Sequence, residues 1–214
     1  MSAKPSPASG ASDVRPAAPR QAAVARRTKE TDIRLELTLD GGAVELDLDR
    51  ESSFFGHMLD TLAVYAGWGL KLALRGDPQI DLHHSCEDAG LALGEALALS
   101  LGDFAGHRRF GSALAPMDEA LAEAALDAGR RPYLHFEVSW PQPTAGRFEL
   151  CLVEEFFRAL SQKAGWTLHL TGRRGRNSHH LCEALFKAVG LAAAAALAPR
   201  AGGPLSTKGL EQFS

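Results

Sequence analysis

A stretch of twelve residues is written twice in this chain, and it limits what the chain can become more than any other feature. His83-His84-Ser85-Cys86-Glu87-Asp88-Ala89-Gly90-Leu91-Ala92-Leu93-Gly94 returns as His179-His180-Leu181-Cys182-Glu183-Ala184-Leu185-Phe186-Lys187-Ala188-Val189-Gly190, at an offset of 179 − 83 = 96. Both copies open an Ala/Leu-rich helical pattern. On a helix, residues i and i+4 share a face, so His83 with Glu87 and His179 with Glu183 can each grip one ion. The intervening His84 and His180 point roughly 100° away at 3.6 residues per turn. One helix can therefore offer ligands to two different metals.

The repeat extends beyond the motif. Ala66-Gly67-Trp68, with Leu70 and Leu72, reappears as Ala164-Gly165-Trp166 with Leu168 and Leu170, an offset of 164 − 66 = 98. Carried back along the preceding helix, the same offset sets His57 opposite Glu155 and makes Glu155 a candidate ligand by symmetry. Ile33, Leu35 and Leu37 alternate with polar residues as in a half-buried strand. Asp40-Gly41-Gly42 offers turn chemistry, and Val44, Leu46 and Leu48 alternate on the way back, as in a hairpin. Helical spacing follows at 54–66, with Phe55, Met58, Leu59 and Leu62 on one stripe. A strand is expected at 70–74 and the first motif helix at 83–101. In the second half, 120–126 and 133–138 read as a hairpin around Ala128-Gly129-Arg130. A helix at 149–164, a strand at 167–171 and a helix at 179–197 follow. The expectation is an α+β fold of two duplicated β-β-α-β-α lobes, residues 27–111 and 112–214, with sheets packed against helices.

Residues 1–26 are rich in Ala, Pro and Ser and poor in large apolar side chains, so they read as a disordered tail. The tail is also acid-poor and contains arginines, as transit peptides do, but it lacks the apolar stretch of a secretory signal. A net charge of −3 leaves no electrostatic footprint for nucleic acid or a membrane surface. No apolar run approaches the ~20 residues of a membrane span, the longest candidate being 191–198. The three cysteines Cys86, Cys151 and Cys182 form no C-x-x-C, which favours reduced thiols and a cytoplasmic setting. Cys86 and Cys182 turn away from the His/Glu face and read as small core residues.

The candidate metal ligands are thus His57, His83, His84, Glu87, Glu155, His179, His180 and Glu183. Imidazoles with carboxylates and no thiolate suit Mn, Fe, Zn or Ni. Two pseudo-equivalent sets suggest two metals with positions left open for substrate. Arg108-Arg109, Arg130-Arg131, Lys187 and Lys208 supply the charge that a phosphate monoester would need.

These motifs, together with Thr28-Lys29-Glu30-Thr31, Phe55-Gly56-His57-Met58-Leu59, Arg109-Phe110-Gly111, Pro116-Met117-Asp118-Glu119-Ala120, Arg131-Pro132-Tyr133 and Ser206-Thr207-Lys208-Gly209, resemble the imidazoleglycerol-phosphate dehydratase family over about residues 27–209. The resemblance implies removal of water from imidazole glycerol phosphate to give imidazole acetol phosphate, in histidine biosynthesis. It implies two Mn2+ per active site, lobes of the ribosomal-S5-domain-2-like kind, and a homo-oligomer of 24 subunits built from trimers, with active sites between subunits. Glu30 matches the family's acid/base glutamate, a role in which Glu183 is the second candidate. Arg109, Arg131, Lys187, Ser206 and Lys208 match its phosphate and substrate contacts. The family usually carries aspartate where this chain has Gly56, and a carboxylate there would orient His57. Another small-phosphate metalloenzyme on the same scaffold, or a non-catalytic metal-dependent shell, are the competing readings.

Overall fold

The computed structural model describes residues 19–201 and residue 205. The chain order is β1 (Gln21–Arg27), β2 (Asp32–Thr38), β3 (Gly41–Leu48), a 3-10 turn (Arg50–Ser52), α1 (Ser53–Ala66), β4 (Trp68–Arg75) and α2 (His83–Leu101). The second lobe continues with β5 (Phe110–Met117), β6 (Ala120–Asp127), β7 (Tyr133–Glu137), the short pair β8 (Thr144–Ala145) and β9 (Phe148–Glu149), α3 (Leu152–Ala164), β10 (Thr167–Arg174) and α4 (Ser178–Leu197). The two larger sheets run β1-β2-β4-β3 and β5-β6-β10-β7. In both, the first three of these strands pair antiparallel and the last pairs parallel to its neighbour. The duplication therefore holds at the level of strand order and direction.

Three expectations need correction. First, 21–27 is not tail: β1 pairs with β2 over its whole length, Gln21 opposite Thr38 through Arg27 opposite Asp32. The proposed disorder of residues 1–18 lies outside the described residues. Second, each lobe begins with three strands, and the second lobe's first strand starts at Phe110, before the expected boundary at 112. Third, neither expected hairpin forms. β4 inserts between β2 and β3, and β10 inserts between β6 and β7. The hairpins are instead β1–β2 and β5–β6. The physical reason lies in the core: β4 is buried at Trp68, Leu70, Leu72 and Leu74, and a strand this apolar belongs at the centre of a sheet. The helix expected from 149 begins at Leu152, because Phe148 and Glu149 close the small β8–β9 ladder.

Each helix touches its own lobe's sheet and one helix of the other lobe: α1 lies on α4 and α2 on α3. The glycine that ends each copy of the motif is what permits this approach. A Cβ on Gly94 would meet Leu160 O at 2.6 Å, and one on Gly190 would meet Leu62 O at 2.8 Å. Leu160 and Leu62 are themselves partners under the 98-residue offset, so one close contact is made twice. Gly67 and Gly165 end α1 and α3 in the left-handed region, at φ 71° and 69°, where a side chain would be strained. Cys86 and Cys182 are fully buried as expected, and burial pushes both thiols far up. By length and composition α4 could cross a bilayer, and it is more apolar than the sequence reading allowed. Here 72% of that stretch is buried inside the protein, as in a core helix.

Candidate metal centre

The helix pairing of the fold decides which ligands meet. α4 brings His179 and Glu183 to one face, and α1, packed against it, contributes His57. His57 Nε2 lies 3.2 Å from Glu183 Oε2, and His179 Nε2 lies 3.4 Å from the same oxygen. One ligand atom from each of the three residues lies within 4.8 Å of the others. Phe54, one turn before His57, meets the His179 ring edge-on at 5.1 Å and fixes that imidazole from the side. Glu183 is only 9% exposed. Burial pushes its carboxyl up, but the hydrogen bonds from Lys187 and His57 outweigh this and hold it below the usual range. Lys187 Nζ is 2.9 Å from Glu183 Oε1 and stands over the Tyr65 ring. It is thus engaged with the cluster rather than free. Two imidazoles and a carboxylate converging from two lobes form a donor set that fits a divalent transition metal.

The matching set on α2 and α3 is less closed. His83 Nε2 is 3.9 Å from Glu87 Oε2. Glu155, expected to play the part of His57, instead pairs with Arg158 at 3.8 Å.

His84 and His180 do not join their neighbours' clusters. A carboxylate outside the motif holds each one: Asp77 accepts from His84 Nδ1 at 3.0 Å, and Glu119 accepts from His180 Nδ1 at 2.9 Å. A carboxylate on one ring nitrogen sets the tautomer and leaves the other nitrogen as the ligand atom. Glu119 also accepts from the backbone N–H of Arg176 and Asn177. The His180 hydrogen bond and these N–H groups together hold its carboxyl down at about 2. The hydrogen bond donated to Asp77 raises the His84 imidazole against its burial, and the charges of Asp77, Glu30 and Asp81 add to the effect. Sequence reasoning missed both holding carboxylates. Glu119 stood inside a recognised motif without a role, and Asp77 lies in the stretch between the expected strand at 70–74 and the expected helix at 83–101, in no motif at all.

Glu30 lies on the β1–β2 turn, next to Thr31, which bonds Asp88 on α2, and near enough for its charge to act on the His84 imidazole. Unlike Lys187, the candidate arginines Arg109 and Arg131 are elsewhere. Arg109 Nε and Nη2 donate to both oxygens of Asp127, at 2.6 and 2.9 Å, and Nη1 donates to Leu205 O. Arg131 is 74% exposed, with Nη2 3.9 Å from Asp127. Asp127 ends β6 whereas Glu119 precedes it, which separates these arginines from His180 by roughly 25 Å at about 3.3 Å per residue. The structure therefore does not bring Arg109 and Arg131 to the metal ligands of the same chain. Ser206 and Lys208 lie outside the described residues.

Comparison with known proteins agrees with this architecture. Residues 51–193 match the family model described as imidazoleglycerol-phosphate dehydratase. The chain is 46% identical over 191 residues to the imidazoleglycerol-phosphate dehydratase of Desulfotalea psychrophila, covering 89% of this chain and 96% of that protein. It is 50% identical over 188 residues to that of Symbiobacterium thermophilum, covering 87% and 90%. The crystal structure of the Staphylococcus aureus enzyme superposes with a TM-score of 0.75 at 33% identity, covering 84% of this chain and 99% of that one. The IGPD of Pyrococcus furiosus, solved in complex with (S)-C348, gives 0.76 at 34% identity, covering 88% and 100%. The repeated motif, the cross-lobe cluster and these relatives converge, and the chain belongs to the imidazoleglycerol-phosphate dehydratase family.

Proposed function

We propose that this chain is a hydro-lyase of L-histidine biosynthesis that eliminates water from D-erythro-imidazole glycerol phosphate to give imidazole acetol phosphate. The observation that carries the reading is the cluster of His57, His179 and Glu183, assembled from both lobes within a fold shared with dehydratases. Two Mn2+ ions per active site fit the donors. One would be held by His57, His179 and Glu183, the other by His83, Glu87 and Glu155, while the free nitrogens of His84 and His180, turned away from these clusters, would complete the sets of a neighbouring copy. Bound metal supplies Lewis acidity and a template for the substrate's imidazole ring.

The chain's own residues supply the rest. The proton to be removed sits on carbon, and Glu30, carried beside His84, is the group placed to take it. Lys187 keeps Glu183 ionised and so ready as a ligand. Arg109 and Arg131 suit the phosphate through charge-assisted hydrogen bonds, with Ser206 and Lys208 following the Leu205 carbonyl that Arg109 holds. Their separation from the same chain's histidines supports an active site completed by a neighbouring copy, in a 24-subunit shell built from trimers. The setting is cytoplasmic.

Turnover of imidazole glycerol phosphate by the Mn-reconstituted protein tests the whole reading, and a fully loaded protein without turnover overturns it. Within the reading, Glu30→Gln is expected to leave assembly and metal content intact and to reduce kcat by at least ~10²-fold. Parent-like turnover in that variant removes Glu30 from the mechanism.

A further inference from the structure

We propose that Asp88 is a positioning residue for the reaction: it clamps the β1–β2 turn onto α2 and thereby presents the Glu30 carboxylate beside His84. The inference rests on the reading of Glu30 given above.

Asp88 directly follows Glu87, and on α2 it lies one turn beyond His84, on the same face. It is only 6% exposed, and both its oxygens are used. Oδ1 accepts from Arg26 Nε at 2.8 Å, and Oδ2 accepts from the Thr31 hydroxyl at 2.5 Å. These two partners flank the turn: Arg26 is near the end of β1, and Thr31 immediately precedes β2. The turn between them is tied internally. Thr28 N–H donates to Thr31 O at 2.9 Å, and Thr28 Oγ accepts from the N–H groups of Glu30 at 3.1 Å and Thr31 at 2.9 Å. A rigid turn gripped on both flanks by one buried carboxylate leaves its tip residue no freedom except that of its own side chain. That tip residue is Glu30, and among the described residues no hydrogen bond fixes its carboxylate.

The second lobe shows what the clamp replaces. Its corresponding hairpin, β5–β6, turns within two residues, and the turn residue Glu119 bonds directly to His180. The position corresponding to Asp88 there is Ala184, which has no side chain able to hold a turn. In the first lobe the turn is longer, Asp77 has taken over His84, and Asp88 holds the turn. Glu30 is thereby released from holding an imidazole and left available for proton transfer. A buried carboxylate with two charge-assisted or hydroxyl hydrogen bonds is strong enough to fix such a geometry.

The test uses the full-length, Mn-loaded protein. Asp88→Ala is expected to lower kcat on the order of 10²-fold, the scale of an ångström-level misplacement of a catalytic group. KM and bound metal should stay within about twofold of the parent, because the clamp acts on a proton-transfer group. Asp88→Asn keeps an acceptor for Thr31 and should recover most of the loss. Thr31→Val, a milder change, should reproduce part of it if Asp88→Ala fails to fold. The decisive readout is non-additivity: Asp88→Ala added to Glu30→Gln should slow turnover no further than Glu30→Gln alone. A multiplicative loss in the double variant, or unchanged kcat in both Asp88→Ala and Thr31→Val, overturns the proposal. Parent-like turnover in Glu30→Gln would instead defeat the assignment of Glu30 itself, so the two failures are distinguishable.

Discussion

The two metal-motif helices occupy the same place in their lobes, yet they meet their cross-lobe partners differently. Against α4, α1 offers an imidazole, and His57 closes to 3.2 Å from Glu183. Against α2, α3 offers a carboxylate, and Glu155 turns to Arg158 instead of toward Glu87. The cause is charge. A histidine beside a glutamate is attracted or neutral, whereas two carboxylates sharing a site repel until a cation joins them. The first cluster is therefore drawn together by its own charges, whereas Glu155 and Glu87 have no such attraction between them. Duplication supplied two equivalent scaffolds, and two changes set the clusters apart: Glu155 stands where α1 has His57, and Leu91 stands where α4 has Lys187, the partner of Glu183.

The largest expected effect separates the two sites outright. Glu183→Gln removes the shared carboxylate of the closed cluster, and the proposed two Mn per chain should fall to one. Glu87→Gln should do the same from the other side. Elemental analysis of both variants checks this, and loss of both metals from either one would mean that the sites fill as a single unit.

The next effect concerns the contact that both lobes share. Gly94→Ala and Gly190→Ala each push a methyl into the facing helix backbone, at 2.6 and 2.8 Å from a carbonyl oxygen. Each should cost about 1–3 kcal/mol of stability, the usual scale of overpacking. Gly94 should cost the more because its approach is the tighter. Urea midpoints decide the order, and a neutral Gly94→Ala would show that α2 and α3 can separate freely.

Smaller again is the effect of making the lobes alike. Glu155→His gives the open cluster the same donor types as the closed one. Its metal affinity should rise on the order of tenfold, the equivalent of ~1.4 kcal/mol. Titration of apo-protein with Mn should change from two phases toward one. Two phases that stay as far apart would place the asymmetry elsewhere.

What could be read from the chain alone follows the same division between local and non-local. The pairs His83/Glu87 and His179/Glu183 were legible because helical spacing is a property of neighbouring residues, and the 98-residue offset paired His57 with Glu155. β1 was not legible: in Gln21–Arg27 only Val24 is buried, and its alanines carry no alternation. It becomes a strand because β2 offers it a ladder, and this tertiary fact also brings Arg26 to Asp88. The hairpins were misplaced because turn chemistry at Asp40-Gly41-Gly42 marks where the chain reverses, not which strand inserts beside it. Asp77 and Glu119 could not be assigned because each bonds a histidine on an element its own local pattern does not indicate. The pairing of Arg109 with Asp127 was likewise invisible in a string where both read as surface charge.

The smallest effect tests Gly56, where the lobes differ by a side chain: the offset places Glu154 opposite it. Gly56 lies inside α1, and a Cβ there would meet only the Leu48 side chain, Cδ1 at 3.7 Å and Cδ2 at 3.9 Å, which are ordinary contacts. Its φ lies outside the left-handed region, so nothing in the backbone demands glycine. Gly56→Ala should then stabilise the protein by roughly 0.5–1 kcal/mol, the entropic cost of glycine in a helix. It should leave Mn affinity unchanged, since His57 already has Glu183 at 3.2 Å. Gly56→Asp separates the helix effect from the carboxylate effect. If an aspartate there helps to orient His57, Mn binding should tighten relative to Gly56→Ala, within the ~10–100-fold that such supporting groups contribute. Equal affinity in the two variants would show that Glu183 and the cross-lobe packing hold His57 without help. Thermal melts of the apo-protein beside Mn titrations of all three forms give both numbers.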